Sequence, residues 1–291
     1  MLLALNNSFF NRFGLEGSVQ KCMEAGFRAI DLSLIRHDEN PLFGPESAEH
    51  IRAVKAILDA HSAVVHQTHA PFATYIEGND EYNRVTGEAI HRAIELSAAF
   101  GAKQIIIHPT AFPELTAAEQ MEKNLALYAP FGERAKKCGV KIAIENMWNV
   151  MRDCPDKICK SVCSSAEELC TYMDALGEGY TVCLDVGHAG LACEVADKMI
   201  PILGKARLGA LHIHDNDFYA DDHTAPFLGL MNWDALTCAL AAIDYDECFT
   251  YEVVGAFSRR MPTPLLPSAG KFLFDIGTYL VSEIERKKKK I

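Results

Sequence analysis

The run Leu211-His212-Ile213-His214-Asp215-Asn216-Asp217, continued by Asp221-Asp222-His223, concentrates imidazoles and carboxylates behind an apolar stretch that begins at Leu208. This reads as a buried strand with a polar C-terminal end. Residues two apart on a strand share a face, so His212 and His214 point the same way. Imidazoles and acids crowded at a buried strand end are costly unless they are paired or receive a cation, and a divalent metal is the simplest receiver. A polar loop entry with one satisfied histidine would give a similar run. Recurrence favours the metal: His69, His108, Glu145, Asp185, His188, His214, Asp221, His223 and Glu252 all follow the ends of short apolar runs. Imidazole and carboxylate without cysteine suit Zn²⁺ or Mn²⁺, with Fe²⁺, Co²⁺ and Mg²⁺ also compatible. Such a mixture points to a catalytic ion with positions left open for water or substrate. Asn146, His212 and Asn216 are expected to orient the ligands from outside.

The elements that must carry these residues alternate. Strands are predicted over 1–5, 27–32, 62–65, 104–107, 140–144, 180–184, 208–214 and 249–251. Helices are predicted over 17–25, 46–60, 81–100, 116–137, 165–176, 191–203, 233–242 and 269–284. In the second helix Ile51, Val54, Ile57 and Leu58 share one face. Gly101 suits a C-terminal cap. Thr116 with Glu119 resembles a capping box, and Pro130 is expected to kink or interrupt the helix that follows. This alternation over 291 residues fits a single (β/α)₈ TIM barrel spanning 1–291 better than an open doubly wound sheet. No glycine-rich phosphate fingerprint follows the first strand, which weakens a dinucleotide-binding reading. In a barrel the C-terminal strand ends converge on one face, so residues far apart in sequence would share one cavity. The segment 153–164, with Cys154, Cys159 and Cys163 and with Cys170 nearby, reads as an active-site loop carrying incidental thiols. Its spacing matches no common structural zinc pattern.

Composition narrows the class. Nearly half the residues, 49%, are apolar, and the net charge is −11, which disfavours a nucleic-acid partner. No apolar run is long enough to span a membrane. The first residues lack the basic region and cleavage site of a signal peptide. Ten cysteines in that setting suggest reduced thiols and a cytoplasmic protein. The basic tail from Arg286 to Lys290 reads as a solvated helix end, where cations complement the dipole. A homo-oligomer is compatible with all of this.

Seven short motifs in order carry a resemblance: His69-Ala70-Pro71-Phe72, His108-Pro109, Ile144-Glu145-Asn146, Leu184-Asp185-Val186-Gly187-His188, His212-Ile213-His214-Asp215-Asn216-Asp217, Asp221-Asp222-His223 and Tyr251-Glu252. With them the chain resembles, over nearly its whole length, the xylose isomerase-like TIM barrels of the sugar phosphate isomerase/epimerase group, which also contains endonuclease IV. The resemblance implies a small carbohydrate substrate and a divalent metal held by Glu145, Asp185, His214 and Glu252. It implies a cis-enediolate stabilised by the metal as a Lewis acid, with Glu145 and Glu252 moving the proton and His188 contacting a substrate oxygen. A related inosose dehydratase or lyase would use the same enolate chemistry. The ketose 3-epimerases place a Glu six residues beyond the first ligand and an Arg six beyond the strand-seven His; here Met151 and Ala220 stand there. Many members that act on phosphorylated sugars have a Lys where this chain has Asn216. His69, His108, Asp221 and His223 match further ligands of the trinuclear zinc cluster of endonuclease IV, so a zinc-dependent abasic-site endonuclease is the alternative. A phosphorylated substrate would need a basic cradle, for which Arg12, Arg36, Arg152 and Arg259 lie in suitable loops.

Overall fold

Period-two alternation builds a cylinder from the apolar runs. The computed structural model describes residues 1–151, 154–254 and 261–290. Eight strands form one sheet: β1 (Leu3–Asn6), β2 (Ala29–Ser33), β3 (Val64–His69), β4 (Gln104–Ile107), β5 (Lys141–Glu145), β8 (Tyr180–Asp185), β9 (Leu208–His212) and β10 (Phe249–Tyr251). Neighbours pair in parallel, and β1 also pairs with β10, Leu3 opposite Phe249. The remaining seam closes just past the end of β9. There the Ile213 N–H donates to the Thr250 carbonyl at 2.8 Å and the Glu252 N–H to the Ile213 carbonyl at 3.1 Å. The architecture is a (β/α)₈ TIM barrel.

Alternate strand residues divide between two environments. Leu5, Ile30, Ile105, Ile107, Ile142, Ile144, Val182, Leu184, Leu211 and Tyr251 face the helices in one continuous core. Burial of each such aliphatic side chain contributes roughly 1.5–3 kcal/mol. The lumen is lined instead by two small clusters, Ile106, Ala143, Cys183 and Ala210, and Ala4, Ala29 and Cys248. Two residues further along each strand the same face carries a polar group: Asn6 after Ala4, Asp31 after Ala29, His108 after Ile106, Glu145 after Ala143, Asp185 after Cys183, and His212 after Ala210. The small side chains below leave room for the imidazoles and carboxylates above.

The outer layer holds α1 (Gly14–Ala25), α2 (Ser47–Ala60), α3 (Asp80–Phe100), α4 (Ala117–Cys138), α5 (Ala166–Leu176), α7 (Ala196–Arg207), α8 (Trp233–Ala242) and α9 (Leu266–Lys288). Gly101 caps α3 with φ 72°, in the left-handed region that favours glycine. Thr116 and Glu119 form the expected capping box of α4.

Four expectations change. α4 runs through Pro130 as one helix, because Pro130 lies on its exposed face, where water can serve the freed carbonyl. The helix predicted over 191–203 starts later, as α7 at Ala196, and a short α6 (Val186–Leu191), capped by the Asp185 side chain, precedes it. The cysteine-bearing segment is a hairpin strand, β7 (Cys154–Lys160), antiparallel to β6 (Trp148–Met151). The basic tail is not simply solvated: Lys287 donates to Asp234 at 2.6 Å and to Thr237 at 2.8 Å, tying α9 to α8.

Candidate metal centre and active-site cavity

All the predicted site residues meet at the C-terminal end of the barrel, where eight strand ends converge. Apart from that of His108, their ligand-type atoms fall into three groups, each with all atoms within 4.8 Å of one another: Glu145, Asp185, His212 and Glu252; His69, Glu145 and His212, which shares two residues with the first; and His188, His214, Asp221 and His223. The first group is entirely buried. His212 Nδ1 lies 3.1 Å from Glu145 Oε1, 3.3 Å from Glu252 Oε2 and 3.9 Å from Asp185 Oδ2. Three carboxylates around one nitrogen leave a surplus of negative charge that a buried site must neutralise.

The strand-seven imidazole in the first group is therefore that of His212, where the resemblance had implied His214. Strand register explains it. Asp185 stands directly opposite His212 in the β8–β9 pairing, which sets both side chains at one depth in the lumen. His214 lies one step higher, its Nε2 2.9 and 3.0 Å from the two Asp185 oxygens, and it belongs to the third group. His212 thus stands within the first group, where the sequence had suggested an outer position. Counted from His212, the position of the epimerase Arg falls on Phe218, which is again not an Arg.

Around these groups the imidazoles are locked by main-chain acceptors. Nδ1–H of His69 donates to the Ala70 carbonyl at 2.9 Å, that of His188 to Asn146 at 3.0 Å, and that of His223 to Glu252 at 2.7 Å. A carbonyl only accepts, so in each ring Nδ1 carries the hydrogen and Nε2 is left for the cavity. Metal-binding histidines are commonly held in this way, the carbonyl fixing the tautomer and the ring's orientation. Nε2 of His108 lies 3.1 Å from His69 Nε2 and 3.0 Å from Glu145 Oε2. Nε2 of His223 lies 3.1 Å, and that of His188 3.5 Å, from Asp221 Oδ2.

Backbone geometry fixes the rest. The Asn146 side chain mimics a strand neighbour: its amide donates to the Asp185 carbonyl at 2.9 Å and its oxygen accepts the Asp185 N–H at 2.7 Å. Asn216 donates to the Gly187 carbonyl at 3.2 Å. At Gly187 an added Cβ would sit 2.0 Å from His214 Cε1, so only glycine lets α6 approach that ring. Asp215 is no part of the three groups. Its oxygens accept from the N–H groups of Asn216, Phe227 and Met231 and from Trp233 Nε1, each at about 3 Å, folding the loop after β9.

The electrostatics fit a cation. Burial alone would raise the Glu145 and Asp185 carboxyls, but His212 and His108 in the first case, and His188 and His214 in the second, hold them below the usual range. Burial likewise opposes a proton on His188 and His223. Asp185, Asp221 and Glu145 nevertheless push His188 up to about 10, and Asp221, Glu252 and Asp185 push His223 up to about 9. Without an ion these imidazoles must carry positive charge themselves. Among the described residues, His214 Nδ1, Asp221 Oδ1 and Asp31 Oδ1 are buried without a hydrogen-bond partner. A borderline divalent ion such as Zn²⁺ suits this mixture of neutral imidazoles and carboxylates.

The groups open into a cavity of about 590 Å³. Phe72, Trp148, Ile35 and Val254 supply apolar walls, while Ser8, Thr74 and Tyr75 supply neutral hydrogen-bonding groups. Among the described residues no lysine or arginine lines it. Arg12 donates to the Met261 carbonyl at 2.6 Å, and Arg36 pairs with Glu39 and lies 3.8 Å from Asp38. Arg152 and Arg259 lie outside the described residues. Cys154, Cys159, Cys163 and Cys170 are free thiols, and none enters a metal-competent group among the described residues.

The xylose isomerase-like TIM barrel family matches residues 19–265, most of the chain. The chain belongs to this family. A D-tagatose 3-epimerase-like protein superposes with a TM-score of 0.73 at 21% identity, covering 97% of this chain and 100% of that one. The IOLI protein, whose crystal structure holds a bound zinc atom, superposes with a TM-score of 0.76 at 15% identity, covering 99% of both chains. In sequence, a probable endonuclease 4 of Shouchella clausii is 30% identical over 179 residues, 57% of this chain and 58% of its own length. At these identities the solved structures share the fold and leave the substrate open.

Proposed function

We propose that this chain is a divalent-metal-dependent isomerase or epimerase of a small, polyhydroxylated carbonyl compound, a sugar or polyol derivative. One observation carries the reading: Glu145 and Glu252 flank the same buried nitrogen, His212 Nδ1, at 3.1 and 3.3 Å, and both line the cavity. Two carboxylates facing one reaction volume suit removal of a proton from one carbon and its return at that carbon or the next. Glu145, Asp185, His212 and Glu252 would hold the ion. When bound, it supplies Lewis-acid stabilisation for negative charge that develops on a substrate oxygen. Asp185 is held by its helix-cap bond to the His188 N–H, 2.7 Å, and by Asn146. His188, its Nδ1–H committed to Asn146, presents Nε2 to a substrate hydroxyl. Phe72 and Trp148 would cover the less polar face of a sugar and exclude water. A dehydratase or lyase would begin with the same proton abstraction. The epimerase-like neighbour and the zinc-bearing one support this reading.

A second reading, zinc-dependent hydrolysis of a phosphodiester at an abasic site, is favoured by the second and third residue groups and by the relative from Shouchella clausii. Against it stand the net charge of −11 and the lack of lysine or arginine around the cavity among the described residues. Metal analysis of the purified protein, combined with a substrate panel, separates the two. Metal dependence with turnover of ketoses, aldoses or inososes supports the first reading. Three zinc ions per chain with nicking of abasic DNA and no sugar turnover supports the second.

A further inference from the structure

Among the residues of the first group, His212 presents its Nδ1 to the carboxylates, whereas His69, His188 and His223 use Nδ1 as an anchor and present Nε2. Something must therefore hold the other nitrogen of His212. The ring is fully buried, and its Nε2 points down the lumen to Asp31 Oδ2, 3.4 Å away, at the outer edge of a hydrogen bond. Among the described residues that nitrogen makes no full hydrogen bond. Asp31 stands at the inward position of β2, fully buried. Its Oδ2 accepts from Asn6 Nδ2 at 3.0 Å and lies 3.4 Å from Gln67 Nε2, while Oδ1 has no partner among the described residues. A buried carboxylate held by two amides and still short of donors is costly as a structural device alone. It makes sense as the acceptor for one more N–H.

We propose that Asp31 is a positioning residue for the metal centre: it fixes the Nε2–H tautomer of His212 and leaves the Nδ1 lone pair facing Glu145, Asp185 and Glu252. An anionic carboxylate can only accept, so the ring nitrogen beside it carries the hydrogen. The Nδ1 lone pair then joins three carboxylates as a fourth acceptor with no donor among them, an arrangement that only a cation completes. A carboxylate behind a ligating imidazole also makes the ring a stronger donor to the ion. Asn6 and Gln67 hold Asp31, so the support for the site reaches from β9 across the lumen to β1, β2 and β3.

The inference rests on the metal-dependent reading, and its test separates the two. Metal affinity is measured on the full-length protein by competition with a chromophoric chelator, using Zn²⁺, and by the absorption bands of the Co²⁺-loaded form. Asp31→Ala is expected to weaken the ion held by the His212 group by about 10–100-fold and to shift the Co²⁺ bands. Asp31→Asn keeps the acceptor oxygen without the charge and is expected to lose less affinity while still shifting the Co²⁺ bands, a shift that a residue serving the fold alone would not give. Melting of the metal-free variants monitors folding. If Asp31→Ala does not fold, Asp31→Asn carries the test by the same affinity and spectrum. Wild-type affinity and an unchanged Co²⁺ spectrum in a folded Asp31 variant would overturn the role of Asp31 while leaving the metal-dependent reading in place. A wild-type protein that binds neither Zn²⁺ nor Co²⁺ would overturn both.

Discussion

Gly187→Ala tests the close approach on which the upper part of the centre depends. Gly187 lies in the first turn of α6, and the ideal Cβ of an alanine would lie 2.0 Å from His214 Cε1 and 2.6 Å from its Nε2. Ordinary contact begins near 3.4 Å, so the ring or the helix must yield by about 1.4 Å. The ring has little freedom. It is fully buried, its Nε2 is within 3.0 Å of both Asp185 oxygens, and it stacks on His223 at 3.9 Å. Overpacking of this kind costs about 1–3 kcal/mol, or a fall in melting temperature of roughly 2–4 °C per kcal/mol. Displacement by about 1 Å costs on the order of 100-fold in a positioned reaction. The assays are thermal melting, metal retention after dialysis against a mild chelator, and turnover once a substrate is in hand. The variant is expected to fold, melt a few degrees lower and retain its metal less well, because a displaced His214 no longer holds both oxygens of Asp185 in place. Wild-type melting and wild-type metal retention together would refute the packing argument.

Glu145→Gln and Glu252→Gln are each expected to lower turnover by roughly 10²–10⁴-fold, as befits lost proton-transfer groups, with the fold intact by circular dichroism; full activity in either would remove it from the mechanism. Cys154→Ser is expected to leave metal content unchanged, and loss of one ion per chain would assign the β6–β7 hairpin a zinc site. Proton linkage gives a further check. His188, held at about 10, and His223, at about 9, are protonated in the metal-free protein at pH 7, and so is His212, held well above its ordinary value despite burial; loading Zn²⁺ on His212 Nδ1 should release that ring's proton, seen by calorimetry in buffers of different ionisation enthalpy. Because the His188 and His223 values are both raised, their contribution to metal-free stability is full below the ordinary histidine pKa, about 6.5, and is lost as pH rises through 9 to 10. The melting temperature of the metal-free protein should fall over that window, and a flat profile would contradict the charge assignment.

Much of the barrel and of its polar rim is legible in the amino-acid sequence. Alternation of short apolar runs with amphipathic stretches identifies the barrel, and the placement of Glu145, Asp185 and Glu252 immediately after such runs puts them on one face. Choosing between His212 and His214 is beyond the pattern. Both share a face by the period of two, and depth in the lumen depends on register, seen only in the pairing of Asp185 with His212. Asp31 is visible as a strand-end acid, but its partner is 181 positions away and nothing local marks the contact. The short α6 escapes because six residues containing two glycines carry little helical signal; the Asp185 side chain caps it. The β6–β7 hairpin shows no clean alternation between Trp148 and Lys160, and its pairing slips at Met151.

The most direct test of the metal-dependent isomerase reading is deuterium incorporation. The metal-loaded protein is incubated in D₂O with a panel of ketoses, aldoses, inososes and their phosphates, and both products and recovered substrates are examined by mass spectrometry and NMR. Glu145 or Glu252, once it has taken a proton from carbon, can exchange it with solvent before returning it. Deuterium at the carbon next to a carbonyl, or an isomerised product, is expected with the loaded protein and should disappear after chelation. Neither product nor deuterium across the panel, with abasic DNA nicked by the same preparation, would contradict the account.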